Sequence, residues 1–203
     1  MSRDDTRIRY PAPMLLRILE SRYLLWLLLT LPGATVLVSY AIGQTFYGEV
    51  VHFTGVLATR LLIVTMAVTP LRLMFPRARW TGWLARRRRH LGVATFGYAA
   101  LHTAVYLGRK GPDALAEAME PGLLTGWLAF AVFAPLAFTS NDSLVRRLGR
   151  AWKRLHRLVY VAAALTFAHW LLVAFDVVPV LVHLAVVVAL EGFRVVHGFA
   201  RRR

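Results

Sequence analysis

The sequence predicts an all-α integral membrane protein, a six-transmembrane-helix bundle with both termini cytoplasmic. Three observations predict it. Hydrophobic residues make up 58% of the 203, and the mean hydropathy is +0.54, too apolar for an ordinary soluble domain. Those residues stand in long runs, each close to the roughly 20 residues that a helix needs to cross a hydrocarbon core about 30 Å thick. The net charge of +15 is gathered into clusters between the runs, so it marks membrane sidedness and no nucleic acid partner is expected.

Taken in order, the first run, Tyr23 to Ile42, is free of charge, and the second, Phe53 to Leu71, carries only Arg60. Leu91 to Leu107, Gly122 to Ser140 and Leu158 to Phe175 carry none. The sixth starts at Val177 and reaches spanning length only by continuing through Glu191 and Arg194 to about Val196. Those two charges lie three apart on one helix face, where they can pair or snorkel. Lys and Arg collect in the first 22 residues, in the connection holding Arg86 to Arg89, in the connection from Arg146 to Arg157, and at Arg201 to Arg203. All four lie on one side, which the excess of positive charge makes cytoplasmic. The other connections offer Arg109 and Lys110 against Asp113, Glu117 and Glu120, with Glu49 and Asp176. A cleaved signal peptide is the competing reading of the first run, since Ala41-Ile42-Gly43 is small-x-small, but the run is long for a signal core. One domain follows: a cytoplasmic tail over 1–22, a helical membrane domain over 23–196 and a basic tail over 197–203.

Function classes fall away quickly. Without cysteine there are no disulfides, thiolate catalysis, iron-sulfur clusters or covalently attached haem. There is no Gly-rich phosphate loop before a helix and no H-E-x-x-H, and ten acidic residues leave few carboxylates for hydrolysis. The connections are too short for a nicotinamide or flavin domain, so reducing equivalents must come from another molecule or from the membrane.

Histidine remains, in seven copies, and its depth is informative because polar groups in hydrocarbon usually face a cavity, a partner or a cofactor. At about 1.5 Å rise per residue, His102 lies about 18 Å beyond His90, and His169 about 20 Å beyond His156. The third and fifth spans run the same way, so His102 and His169 reach similar depth toward the outer leaflet, and His90 and His156 stand level at the cytoplasmic edge. Imidazole pairs from opposite sides suit a six-coordinate haem iron. The alternative is ordinary hydrogen-bonded histidines, or for His90 and His156 snorkelling ones. Thirteen residues put His156 and His169 roughly 140° apart on an ideal helix, so the pattern requires either a helix irregularity or two haems approached from different sides. His52 and His183 fall near the outer level and are not excluded as ligands, whereas His197 is solvated. Arg60, about eight residues into its span, costs at least ~2.5 kcal/mol if unpaired near the centre; a haem propionate would offset that, and snorkelling is the alternative. The Arg146 to Arg157 segment suits a lipid surface, a flavin or quinone headgroup, or topology alone.

Several stretches carry a resemblance. They are His52-Phe53-Thr54-Gly55 with Thr69-Pro70-Leu71, Arg89-His90-Leu91-Gly92 leading to Ala99-Ala100-Leu101-His102, and Ala137-Phe138-Thr139-Ser140. The most specific is Arg147-Leu148-Gly149-Arg150-Ala151-Trp152-Lys153-Arg154-Leu155-His156-Arg157-Leu158-Val159-Tyr160, followed by His169-Trp170. Over about residues 52–175 the chain resembles the ferric-reductase-like transmembrane group, and within it the haem-binding membrane subunits of bacterial periplasmic methionine sulfoxide reductase systems. The resemblance implies haem b, one or two per chain, with axial ligands His102, His156 and His169. His52 and the basic Arg60 also fit the family pattern, while pairing His90 with His156 rests on depth alone. It further implies electrons drawn from the quinone pool, FMN as a second cofactor, a place in the bacterial inner membrane, and the soluble periplasmic molybdopterin reductase MsrP as acceptor. The chain would then be an electron-transfer subunit rather than the catalytic one, with Asp113 to Glu120 as either a docking surface or a solvated connection. Two other readings stand beside it: a related ferric or superoxide-type haem reductase, and a transporter or assembly factor whose histidines pack or carry protons.

Overall fold

The computed structural model describes residues 21–200, so most of the N-terminal tail and Arg201 to Arg203 lie outside the described residues. What it describes is helical. The helices are α1 (Arg22–Ala41), α2 (Tyr47–Met74), α3 (Arg79–Lys110), α4 (Asp113–Ala116), α5 (Pro121–Phe138), α6 (Asp142–Leu148), α7 (Arg150–Leu155), α8 (Val159–Val173) and α9 (Val178–Ala200). A 3₁₀ turn over His156–Leu158 joins α7 to α8. Five segments are long and apolar enough to cross a membrane: α1, α2, α5, Arg150–Val173 and α9. The remaining long helix, α3, contains the predicted run Leu91 to Leu107, but Thr95, Tyr98, His102, Thr103 and Tyr106 make it less apolar. It also begins twelve residues before that run, because the Arg86 to Arg89 cluster, expected in a connection, is helical. Arginine is a good helix former, and the membrane edge need not be a helix end.

Two helix pairs form the frame. α2 packs chiefly on α3, and α5 chiefly on α8, with α9 against α2 and α1 lightly attached at the edge. Leu62 and Met66 of α2 meet Ala129 and Phe133 of α5, Ala162, Ala163 and Phe167 of α8, and Val180 and Val187 of α9 in one buried cluster. The alanines let helices approach closely, as small residues do where lipid supplies no hydrophobic drive between helices. Outward faces are apolar: Leu27, Leu28 and Leu31 of α1 and Leu181, Val182 and Val188 of α9 are all at least half exposed. Such a surface suits hydrocarbon and not water.

The buried threonine hydroxyls are satisfied locally. The hydroxyls of Thr54, Thr59, Thr65 and Thr95 each donate to the carbonyl four residues earlier. At Pro32 the α1 ladder is opened, and Tyr98 of α3 closes it. Its hydroxyl accepts from Gly33 N–H at 2.9 Å and donates to Leu29 C=O at 2.7 Å, entering between two groups an unbroken helix would pair. Glu191 and Arg194 pair at 2.8 Å, as their spacing predicts, and Arg194 also donates to the Tyr160 hydroxyl.

Candidate functional site

His102 of α3 and His169 of α8 meet inside the bundle. Their ring centroids are 6.2 Å apart, with planes at 83°. Each ring is held from behind by the other helix of its own pair. His102 Nδ1 lies 2.9 Å from the Val51 carbonyl of α2, and His169 Nδ1 lies 2.7 Å from the Gly122 carbonyl of α5. A carbonyl only accepts, so each Nδ1 carries the proton and each Nε2 keeps its lone pair. Among the described residues no hydrogen bond reaches either Nε2. A methyl carbon on Gly55 would stand 3.1 Å from His102 Nδ1, and one on Gly126 only 2.8 Å from His169 Nδ1.

That donor set fits a metal held from two sides. Two imidazoles sharing one first-row metal, each through an N–metal bond of about 2.0 Å, put their centroids about 6.3 Å apart. No group of three or more His, Cys, Asp or Glu able to hold a bare metal occurs among the described residues. A porphyrin needs no such group, because it brings its own equatorial nitrogens and asks the protein for axial ligands alone.

The other histidines separate. His156 stacks on Trp152, centroids 3.8 Å apart, and its Nδ1–H donates to the Trp152 carbonyl at 3.1 Å. Its Nε2 faces the Ser140 hydroxyl at 3.2 Å, and that hydroxyl also lies 2.7 Å from the Leu136 carbonyl. One proton serves two acceptors there, so Ser140 can release Nε2 without losing its own partner. His156 lines a cavity of about 280 Å³ at the basic end of the bundle, shared with Trp152, Arg88, Arg89, Lys153 and Arg157. His90 does not line it; it packs edge-on against Trp26 of α1, and its Nδ1 is buried without a partner. Among the described residues no ring contact joins His90 to His156. His52 is exposed on α2.

Arg60 finds a partner that its sequence position does not reveal. Its Nε donates to His183 Nε2 at 3.5 Å, with Trp170 edge-on to the same ring at 5.2 Å. A 3₁₀ turn at His156–Leu158 interrupts the helix between His156 and His169, and the two side chains serve different places, His169 beside His102 and His156 at the basic-end cavity.

Residues 54–167 match the family described as "Ferric reductase like transmembrane component". This chain belongs to that family. The family match takes in His102 and His156 and ends just before His169. Among curated relatives, the chain is similar to "Protein-methionine-sulfoxide reductase heme-binding subunit MsrQ" of Xanthomonas campestris, 36% identical over 171 residues that cover 81% of this chain and 77% of the relative. The subunit of the same name from Ralstonia nicotianae is 39% identical over 188 residues, covering 86% and 84%. That of Xanthomonas oryzae is 34% identical over 171 residues, covering 81% and 77%. No solved structure matches this member of the ferric reductase like family.

Proposed function

We propose that this chain is the haem b electron-transfer subunit that carries electrons from the membrane quinone pool to a periplasmic molybdopterin methionine sulfoxide reductase of the MsrP kind. The role would be repair of oxidised periplasmic proteins. The observation that carries the proposal is the His102 and His169 pair, two imidazoles whose Nδ1 atoms are engaged by carbonyls and whose centroids stand 6.2 Å apart, the separation that one shared iron asks. Bound there, haem b supplies one-electron exchange without a change of ligands. The chain's own residues orient both rings through the Val51 and Gly122 carbonyls, which leaves each Nε2 for the iron. The name shared by the relatives, a heme-binding subunit of a protein-methionine-sulfoxide reductase, supports the cofactor and the reductase system.

His156 belongs to the second level. In this reading its Nε2 exchanges Ser140 for the iron of a second haem, or faces a flavin such as FMN or a quinone headgroup in the basic-end cavity. Arg88, Arg89, Lys153 and Arg157 offset the charge of an anionic group there. His90 and His52 are weaker candidates on position. Arg60 serves a propionate only through guanidinium nitrogens other than the one given to His183. The topology that goes with this is six spans, α3 included, with both termini cytoplasmic in a bacterial inner membrane.

The test is the reduced-minus-oxidised spectrum of purified protein, followed during addition of a reduced quinol and then of the oxidised periplasmic partner. Low-spin b-type bands that appear with quinol and fade with the partner are expected. Absence of haem after haem-replete expression overturns the reading and favours transport or assembly. The family match also keeps a ferric or superoxide-type reductase in view. Rapid reduction of ferric chelates with no preference for the periplasmic partner would select it.

A further inference from the structure

The two halves of the bundle hold their histidines by the same device. In each pair the second helix supplies the imidazole, and the first supplies a carbonyl that accepts its Nδ1–H with a glycine four residues later under the ring. The sets are Val51, Gly55 and His102 in one half, and Gly122, Gly126 and His169 in the other. In a helix the N–H of residue i+4 bonds the carbonyl of residue i, so each glycine already donates to the oxygen that the imidazole seeks. That oxygen must use its second lone pair for the ring, which therefore has to lie flat against the helix at the glycine.

Only glycine leaves that space. The added carbon of alanine would stand 3.1 Å from Nδ1 and 3.2 Å from Cε1 at position 55, and 2.8 Å and 3.0 Å from the same atoms at position 126. Neither glycine has positive φ, so the backbone does not demand it; the ring does. Gly33 and Gly122 are also close-packed, but against Tyr98 and Val173 and not under an imidazole. Gly48, Gly97 and Gly192 have nothing within 4 Å of an added carbon. Nor does His156 share the device: its Nδ1 bonds a carbonyl on its own helical stretch and its ring stacks on Trp152.

We infer that Gly55 and Gly126 are positioning residues for the metal, which act by admitting each imidazole to a backbone carbonyl and so fix its tautomer, plane and donor strength. An Nδ1–H bonded to a carbonyl makes Nε2 a stronger donor, and a stronger donor favours the ferric over the ferrous iron. The inference rests on the His102 and His169 reading of the haem site. It goes beyond that reading by assigning control of the iron's properties to two residues that never touch it.

The experiment compares Gly55→Ala, Gly126→Ala and the control Gly97→Ala in the full chain by haem per chain, low-spin electron paramagnetic resonance and midpoint potential. Expected are control values at Gly97→Ala. The two site variants should retain haem with altered low-spin g values and a raised potential, with the larger change in Gly126→Ala, where the clash is closer. Folded site variants whose haem is indistinguishable from the control overturn the inference. Should they fail to fold, the native protein decides: with ¹⁵N-labelled histidine, electron-nuclear double resonance in D₂O should find a slowly exchanging Nδ1 proton on both axial rings. Fast exchange, or one ring without the proton, overturns it as well. A native chain with no bis-histidine haem removes the underlying site, an outcome distinct from a haem that ignores Gly126→Ala.

Discussion

At the scale of single residues, the centre of the molecule is two nitrogen atoms left without a partner. Replacing His102 or His169 with Ala should lower haem per chain by at least half while helicity and elution volume stay native, because what is lost is an axial ligand. Undiminished haem in both variants would refute the pairing, and Arg109→Ala should leave everything unchanged. That these two histidines stand level was legible in the sequence, since helical rise converts residue number directly into height along a helix. Their carbonyl partners were not. Val51 and Gly122 carry no polar side chain, and nothing in a linear sequence says which helix lies behind which ring. Gly55 was visible only as the end of a motif, and Gly126 was not visible at all. Arg60 shows the same limit, for its depth was clear while the rotation of α9 that brings His183 to it was not.

At the scale of elements, the apolar runs located the long helices because each is close to spanning length and bounded by polar or charged residues. They misjudged α3, where the charge run continues the helix, and they passed over α4, α6 and α7. These short helices lack a spanning run, and local features such as Asn141 capping Leu144 N–H and Gly149 at φ 50° define them. The contact between Tyr98 and the opened turn of α1 belongs to this scale too. Tyr98→Phe would leave Gly33 N–H and Leu29 C=O facing no hydroxyl, at a cost of about 1–3 kcal/mol for each group left unsatisfied. A lower thermal midpoint with an unchanged haem spectrum is the expected result. Within α3, Arg89 meets Asp142 at 2.5 Å, and at its C-terminal end Lys110 meets Glu117 at 2.6 Å. The side-chain hydrogen bond from each cation holds its carboxyl below the usual range. A lowered pKa contributes above the unfolded value and is lost as pH falls through the folded one. Amide protection of α4 and α6 should therefore be flat from pH 8 to about 5 and weaken below about 4; a loss beginning near pH 6 would contradict this assignment.

At the scale of the whole molecule, the distribution of cations sets the expected orientation, and the absence of cysteine makes it easy to check. Leu115, exposed on α4, and Ala151, exposed on α7, lie on opposite sides of the proposed membrane. A membrane-impermeant thiol reagent should modify Leu115→Cys in intact spheroplasts and Ala151→Cys only after permeabilisation. The reverse pattern would invert the chain and its direction of electron flow. The all-helical architecture with membrane-long apolar helices was legible because apolar runs of spanning length force it. The assembly into two like halves was not, because it depends on which helices pair.

That pairing has a cost for the cell. His102 hangs from the α2 and α3 pair and His169 from the α5 and α8 pair, so a metal centre shared between them is a strut across the seam where the halves meet. A ligand that binds only the assembled form stabilises it by mass action. Porphyrin supply would then set how long each copy survives membrane quality control, and newly made chains in starved cells would turn over before they ever carried an electron.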